Sequence, residues 1–299
     1  MTPAPQLTLG PLLFHWPAAK WRDFYFRIAD EADIDSVYLG EVVCAKREPL
    51  YAAHVPAVLE RLEAAGKQVV RSTLAVVTDD REMEAVRHLI ASGATVEVND
   101  AASLHELFGR PHVIGPYINV FNEGSYDVLA KGGATRVVLP VEVSARTIGI
   151  LTARRGETEV QIFGRQPLSV AMRCYHARSH GLTKDSCQFV CGLDPDGQPA
   201  QTLDGHNLLS INGTQTLSSG YMVQLRNLSA LKALGVTHFR LSPQDIDMVE
   251  TARLHRAVLT GTFSVDEAED ALRELTGEQP WQNGFLYGRE GLAWVEAEL

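Results

Sequence analysis

Apolar positions along the chain follow two rhythms. One is helical: Trp21, Phe24, Tyr25, Ile28 and Ala32 fall at i, i+3, i+4, i+7 and i+11, a single apolar stripe, and Val55, Val58, Leu59 and Leu62 repeat the pattern. The other is a short β-branched run that follows a helix-ending glycine: "AAGKQVVRSTL" at Gly66, "ASGATVEVND" at Gly93, "KGGATRVVLPV" at Gly133, "RRGETEVQIFG" at Gly156 and "ALGVTHFRLSP" at Gly235. Glycine takes the left-handed position that closes a helix, and valine or isoleucine runs suit strands covered on both faces. Adding "LTLGPLLF" (7–14), "SVYLGE" (36–41) and "HVIGPYINV" (112–120) predicts eight strands. Near the end, Ser264 and Glu267 make a capping box before Ala268, Ala271, Leu272 and Leu275, and Gly277 is the stop. Ser242 followed by Pro243 reads as an N-cap with proline at the first helical position.

Strict alternation of strand and helix implies a parallel sheet, and eight units imply an α/β fold of the (β/α)8 TIM-barrel type, spanning 1–299 as one domain. An open doubly wound sheet is the alternative. The stretch between Gly156 and Gly235 exceeds one repeat unit by roughly 40 residues. The surplus predicts an insertion over 165–220, after strand seven, projecting from the C-terminal face where such barrels place their chemistry.

That insertion contains "CYHARSHGLTKDSCQFVC" (174–191), which holds Cys174, Cys187 and Cys191, three of the chain's four cysteines. The fourth, Cys44, follows the second strand in "YLGEVVCAKR", so topology sends all four to one rim of the barrel. A single cysteine is often just a small buried hydrophobe. These three instead lie among arginine, histidine, lysine, serine and aspartate, which points to metal ligation. Structural zinc sites usually show paired C-x₂₋₄-C knuckles, and only Cys187 and Cys191 are so paired. A cubane iron–sulfur cluster is larger, takes four thiolates and needs no second knuckle, so the irregular spacing favours it while zinc stays open. Lys46, Arg47, Arg173 and Arg178 would lower the thiol pKa values and offset thiolate charge, or simply be solvated; His176 and His180 read as flanking groups rather than ligands.

Composition narrows the classes further. A formal charge of −10 and a pI near 5.5 work against a long phosphate-neutralising surface. No run of about 18 apolar residues occurs and "MTPAPQLTLG" has no basic n-region, so a soluble, cytoplasmic protein is expected. "HELFG" at His105 ends in Gly109 where a zinc protease needs its second histidine, and there is no G-x-S-x-G elbow, P-loop or G-x-G-x-x-G. Polar residues at strand ends, Glu41, Asn99, Asp100, Asn119, Asn122 and Glu142, should face the barrel mouth; most are expected to bond loops and one or two to meet substrate.

The combination of "LGPLLFHWP", "YLGEVVCAKR", "GKQVVRSTLA", "VVLPVEVS", "CYHARSHGLTKDSCQFVC", "INGTQTLSSGY" and "FRLSPQ" resembles the peptidase U32 family, and within it the members that serve oxygen-independent ubiquinone biosynthesis. The resemblance runs from about residue 7 to about residue 245. It implies a [4Fe–4S] cluster on Cys44, Cys174, Cys187 and Cys191, a heterodimer with the paralogue UbiU, and hydroxylation of a quinone precursor without O₂. It also implies prephenate as oxygen donor and a link to the lipid-carrier protein UbiT. If the dicarboxylate prephenate binds this subunit, Arg173 and Arg178 are the candidates to clamp it. Other readings are an RNA-base hydroxylase of the same superfamily, which predicts a basic surface, a U32-type protease, and a non-catalytic scaffold with a structural cluster. The segment "WQNGFLYGREGLAWVEAEL" (281–299) reads as an aromatic-rich docking or packing piece.

Overall fold

β-Branched runs become strands because their side chains fit a pleated, covered surface. The computed structural model, which describes residues 4–296 and 299, has twelve: β1 (Gln6–Leu9), β2 (Ser36–Leu39), β3 (Gln68–Ser72), β4 (Thr95–Val98), β5 (His112–Ile114), β6 (Ala134–Val138), β7 (Glu157–Val170), β8 (Gln198–Gln201), β9 (Asn207–Asn212), β10 (Gln215–Val223), β11 (His238–Leu241) and β12 (Trp281–Gln282). Strands β1 to β7 pair in sequence, all parallel. β11 then lies between β7 and β1, with Gln6 opposite His238 and Leu9 opposite Leu241. The sheet therefore closes into an eight-stranded parallel barrel surrounded by helices, and the open doubly wound alternative is set aside.

Helices cover the outside. Trp21, Tyr25 and Ile28 of the helix Ala18–Glu31, and Val58 and Leu62 of Val55–Ala64, pack with Leu7, Leu9, Val37 and Leu39 in one apolar layer. The barrel interior is different: beside a small apolar cluster of Tyr38, Val70, Val113 and Val138 it holds a buried polar and charged network. The Thr8 hydroxyl and the Arg240 Nε both donate to Glu159 Oε1 at 2.7 Å, and the Tyr38 hydroxyl donates to Glu159 Oε2 at 2.5 Å. Arg240 Nη2 reaches across to Glu97 Oε1 at 2.8 Å, and Ser72 donates to Glu97 Oε2 at 2.7 Å. These bonds link strands on opposite walls, so they fill the lumen.

Two sequence expectations need correction. The run at 112–120 is a strand only to Ile114, because Pro116 has no N–H to extend a ladder and a tight turn with left-handed Asn119 follows. Ser242 does not cap a helix; it ends β11 buried, the chain climbs over the rim, and Asp247 caps the helix Met248–Thr260 by accepting from Val249 and Glu250 N–H. The capping box at Ser264 and Glu267 forms as read.

The insertion is less loop-like than its composition suggests. Strand β7 runs on past the barrel wall to Val170 and pairs antiparallel with β10, which pairs with β9, which pairs with β8. Arg165, buried on β7, fastens this sheet by donating to the Asp196 carbonyl at 3.0 Å and the Ser218 carbonyl at 3.1 Å. The C-terminal aromatic segment packs against the insertion sheet and its flank: Trp281 pairs with Tyr221 of β10, meets Trp294 at 5.6 Å, and carries Arg273 over its ring at 3.4 Å. Among the described residues no helix is long and apolar enough to cross a membrane.

Candidate metal centre

The loop after β2 is shaped by a buried acid. Glu41 Oε1 accepts from the Val43 and Cys44 N–H groups at 2.9 and 3.0 Å, and the Cys44 carbonyl accepts from Arg47 N–H at 2.9 Å. This turn holds Cys44 half-buried against a small apolar cluster of Leu13, Val42, Val43, Ala75, Tyr117 and Val170. Cys174, just past the end of β7, is buried and caps the helix Tyr175–Ser179, its Sγ accepting from the Ala177 N–H at 3.3 Å. Cys187 and Cys191 sit on one turn, with the Val190 N–H donating to the Cys187 carbonyl at 3.2 Å. Between them Gln188 and Phe189 are both left-handed, with φ of 50° and 54°. Two such residues in a row are costly for side chains with a Cβ, and that strain is typical of functional turns.

One side chain draws the pieces together. Arg47 is 1% exposed; its Nη1 donates to the Leu13 carbonyl at 2.8 Å and its Nη2 to Asn212 Oδ1 at 2.9 Å. It thereby ties the loops after β1 and β2 to the insertion. The guanidinium lies over Gly213, where a Cβ would meet Nη2 at 2.5 Å, so a residue with φ of +65° and no side chain is required. Cys44 and Cys191 lie within electrostatic reach of Arg47, and Cys174 and Cys187 within that of Cys191. Arg47 thus neighbours two of the four sequence-predicted cysteines, and Cys191 links it to the other two.

Further bonds lock the same loops. Lys46 Nζ donates to the Lys184 carbonyl at 2.8 Å, Thr214 Oγ1 to the Val43 carbonyl at 2.9 Å, and Trp16 Nε1 to the Pro195 carbonyl at 2.8 Å. His15 packs its ring on Phe189 at 5.7 Å. His176 is fully buried, holds Asp194 Oδ2 through Nε2 at 2.8 Å, and stacks on His180. Arg173 and Arg178 are exposed on either side of Cys174 and do not join the group.

Burial pushes the Cys44 and Cys191 thiols up, and the Arg47 charge only partly opposes it. Burial first, and then Arg47, pushes His15 down to about 4, so that imidazole stays neutral beside the guanidinium. As bare thiols these cysteines are reluctant nucleophiles; a metal centre, by contrast, deprotonates its thiols outright. Among the described residues no three His, Cys, Asp or Glu side chains converge on a single-ion site. Four thiols spaced around a cation match a wide, anionic, thiolate-ligated group better than one small ion, so the donor set fits a cubane by its chemistry.

Beside this centre the barrel mouth holds a cavity of about 250 Å³, lined by Tyr117, Asn119, Glu142, Pro167 and Val170 among others. It abuts the Cys44 cluster through Ala75, Tyr117 and Val170. Of the strand-end polar residues, Asn119 and Glu142 line it; Asp100 and Asn122 instead cap helices, Asn99 bonds Thr73 and Glu97, and Glu41 builds the Cys44 turn. Sequence reading missed Leu13, Asn212 and Gly213, whose signal was the turn-forming N-G-T in "INGTQTL". A model described as Peptidase family U32 matches residues 24–296, which extends past residue 245 into the C-terminal aromatic segment.

Proposed function

Because the chain belongs to peptidase family U32, we propose that it is UbiV, a subunit of an oxygen-independent hydroxylase of ubiquinone precursors with a [4Fe–4S] cluster on Cys44, Cys174, Cys187 and Cys191. The observation that carries this reading is that free thiols from two distant loops share one neighbourhood, Cys44 and Cys191 beside buried Arg47 and Cys174 and Cys187 beside Cys191, next to the mouth cavity. When bound, the cluster would supply one-electron chemistry beside that cavity. The chain's own residues hold the loops, line the cavity and move protons. Glu142, its carboxyl pushed up by burial, is the group placed to exchange a proton with a phenolic hydroxyl, and Tyr117 and Asn119 orient the ring. No basic side chain lines the cavity, so the dicarboxylate prephenate belongs outside it, at Arg173 and Arg178 or on UbiU. UbiT would present the lipid-bound precursor.

The test is anaerobic purification with iron, sulfide and zinc counted per chain, followed by co-purification with UbiU. Iron and sulfide in cubane proportion are expected; a colourless protein holding only zinc would overturn the reading. Cys174→Ala should abolish anaerobic quinone formation while UbiU still co-purifies; loss of the complex instead would assign the cluster a scaffold role. A second reading, the protease, draws on the His176–Asp194 pair, whose Nδ1 has no partner. Peptide cleavage by pure protein, abolished by thiol alkylation, would favour it over the hydroxylase.

A further inference from the structure

Resting on the four-thiolate reading above, we infer that Arg47 is the positioning residue of the metal centre, a fixed countercharge that also offers an N–H to a ligand sulfur. A buried guanidinium without an ionic partner is expensive, because desolvation is not repaid by neutral carbonyls alone. Arg47 is in that position: its described hydrogen bonds go to a backbone carbonyl and to an amide oxygen. Glu41, also buried, is within electrostatic reach of the guanidinium but makes no direct ion pair with it, and its Oε1 accepts from two backbone N–H groups. Nε is buried with no partner at all, while the guanidinium lies beside Cys191 and within electrostatic reach of Cys44. A buried guanidinium with no direct ion pair among the described residues and an idle Nε, set beside Cys191 and in reach of Cys44, is arranged to meet negative charge on those sulfurs. Thiolates around a metal centre are that charge, and hydrogen bonds and cations near the sulfurs set both retention and reduction potential.

Arginine is also required sterically. Its planar fork reaches Leu13 and Asn212 together, and Gly213 leaves room for the plane. Lysine would keep the charge and lose both the fork and Nε.

The experiment compares anaerobically purified wild type, Arg47→Lys and Arg47→Gln by the midpoint potential of the bound centre, by its rate of iron loss to a chelator, and by the urea midpoint of the metal-free chains. Arg47→Gln should shift the potential to a more negative value and release iron about tenfold faster or more, with Arg47→Lys between it and wild type. If Arg47→Gln does not fold, Arg47→Lys alone carries the test, with faster iron release at an unchanged urea midpoint and a smaller shift of potential in the same direction expected. Wild-type potential and release rate in the variants would overturn the inference. So would iron loss that merely tracks a lower urea midpoint, with the potential of the remaining centre unmoved. A wild-type chain without iron and sulfide would instead show that the four-thiolate reading itself fails, before any variant is made.

Discussion

Two arginines are equally buried in this molecule and are treated in opposite ways. Arg240, in the barrel lumen, pairs with Glu159 at 2.7 Å and Glu97 at 2.8 Å and lies over the Tyr38 ring at 4.0 Å. Its neighbours are satisfied in turn by Thr8, Ser72 and Arg136, so the lumen network closes on itself. Arg47, at the mouth, has neutral partners and an idle Nε among thiols. Both are buried charges, yet the first is held in direct ion pairs while the second has Glu41 only within electrostatic reach. A fully satisfied ion network rigidifies and specifies a fold, whereas a partly satisfied one leaves a buried group short of partners.

The contrast can be broken hardest in the lumen. Arg240→Met leaves Glu159 and Glu97 buried without their cation and should cost about 3–5 kcal/mol in urea unfolding, because removing one partner strands the other charges. A loss under about 1 kcal/mol would show that the lumen is wetter or looser than drawn.

pH sharpens the same point. Burial alone would raise Glu159, but Arg240 and Arg136 outweigh it and hold the carboxyl down at about 2. A depressed carboxylate contributes stability that is fully present above its unfolded value of 4.5 and is lost as pH falls toward about 2. Wild-type unfolding followed between those limits should therefore steepen with acid, and Arg240→Met should flatten that part of the curve.

At the mouth the expected effect on the metal-free fold is smaller. Cys174→Ala removes a helix-capping sulfur and should cost the metal-free chain about 1 kcal/mol or less by thermal unfolding, while iron content falls to background. Smallest of all, Lys46→Ala cuts a half-buried tie to Lys184 and an ion pair to exposed Asp185. Its stability change should stay within about 0.5 kcal/mol, with faster proteolytic nicking near Lys184 as the visible result.

The barrel was readable because its signals are local: a glycine stop, a β-branched run and an apolar stripe each report on a few adjacent residues, and Gly66, Gly93, Gly133, Gly156 and Gly235 all precede strands as read. The convergence of Cys44 with Cys174, Cys187 and Cys191 followed from topology, since strand order fixes which loops share a rim. The charged lumen did not show itself, although Glu97, Arg136, Glu159 and Arg240 alternate with apolar residues in their strands. Period-two polarity usually means a solvent face, and only barrel closure turns that face inward. Nor did Arg47 stand apart from Lys46, Arg173 and Arg178, because burial of one cation among four depends on Asn212 and Leu13, which are far away in sequence. The strands of the insertion were not predicted because they pair with one another and carry serine, asparagine and glutamine.

Closure of the barrel joins Gln6 to His238, and that fact governs the order of events during synthesis. A ribosome that has delivered every cysteine has still to make more than forty residues before β11 is in hand, so a nascent chain first owns all its sulfur donors on an open sheet with one wall missing. The mouth is therefore complete only after β11 has joined β1 and β7, and truncations ending before residue 238 should emerge with thiols exposed to air and oxidants.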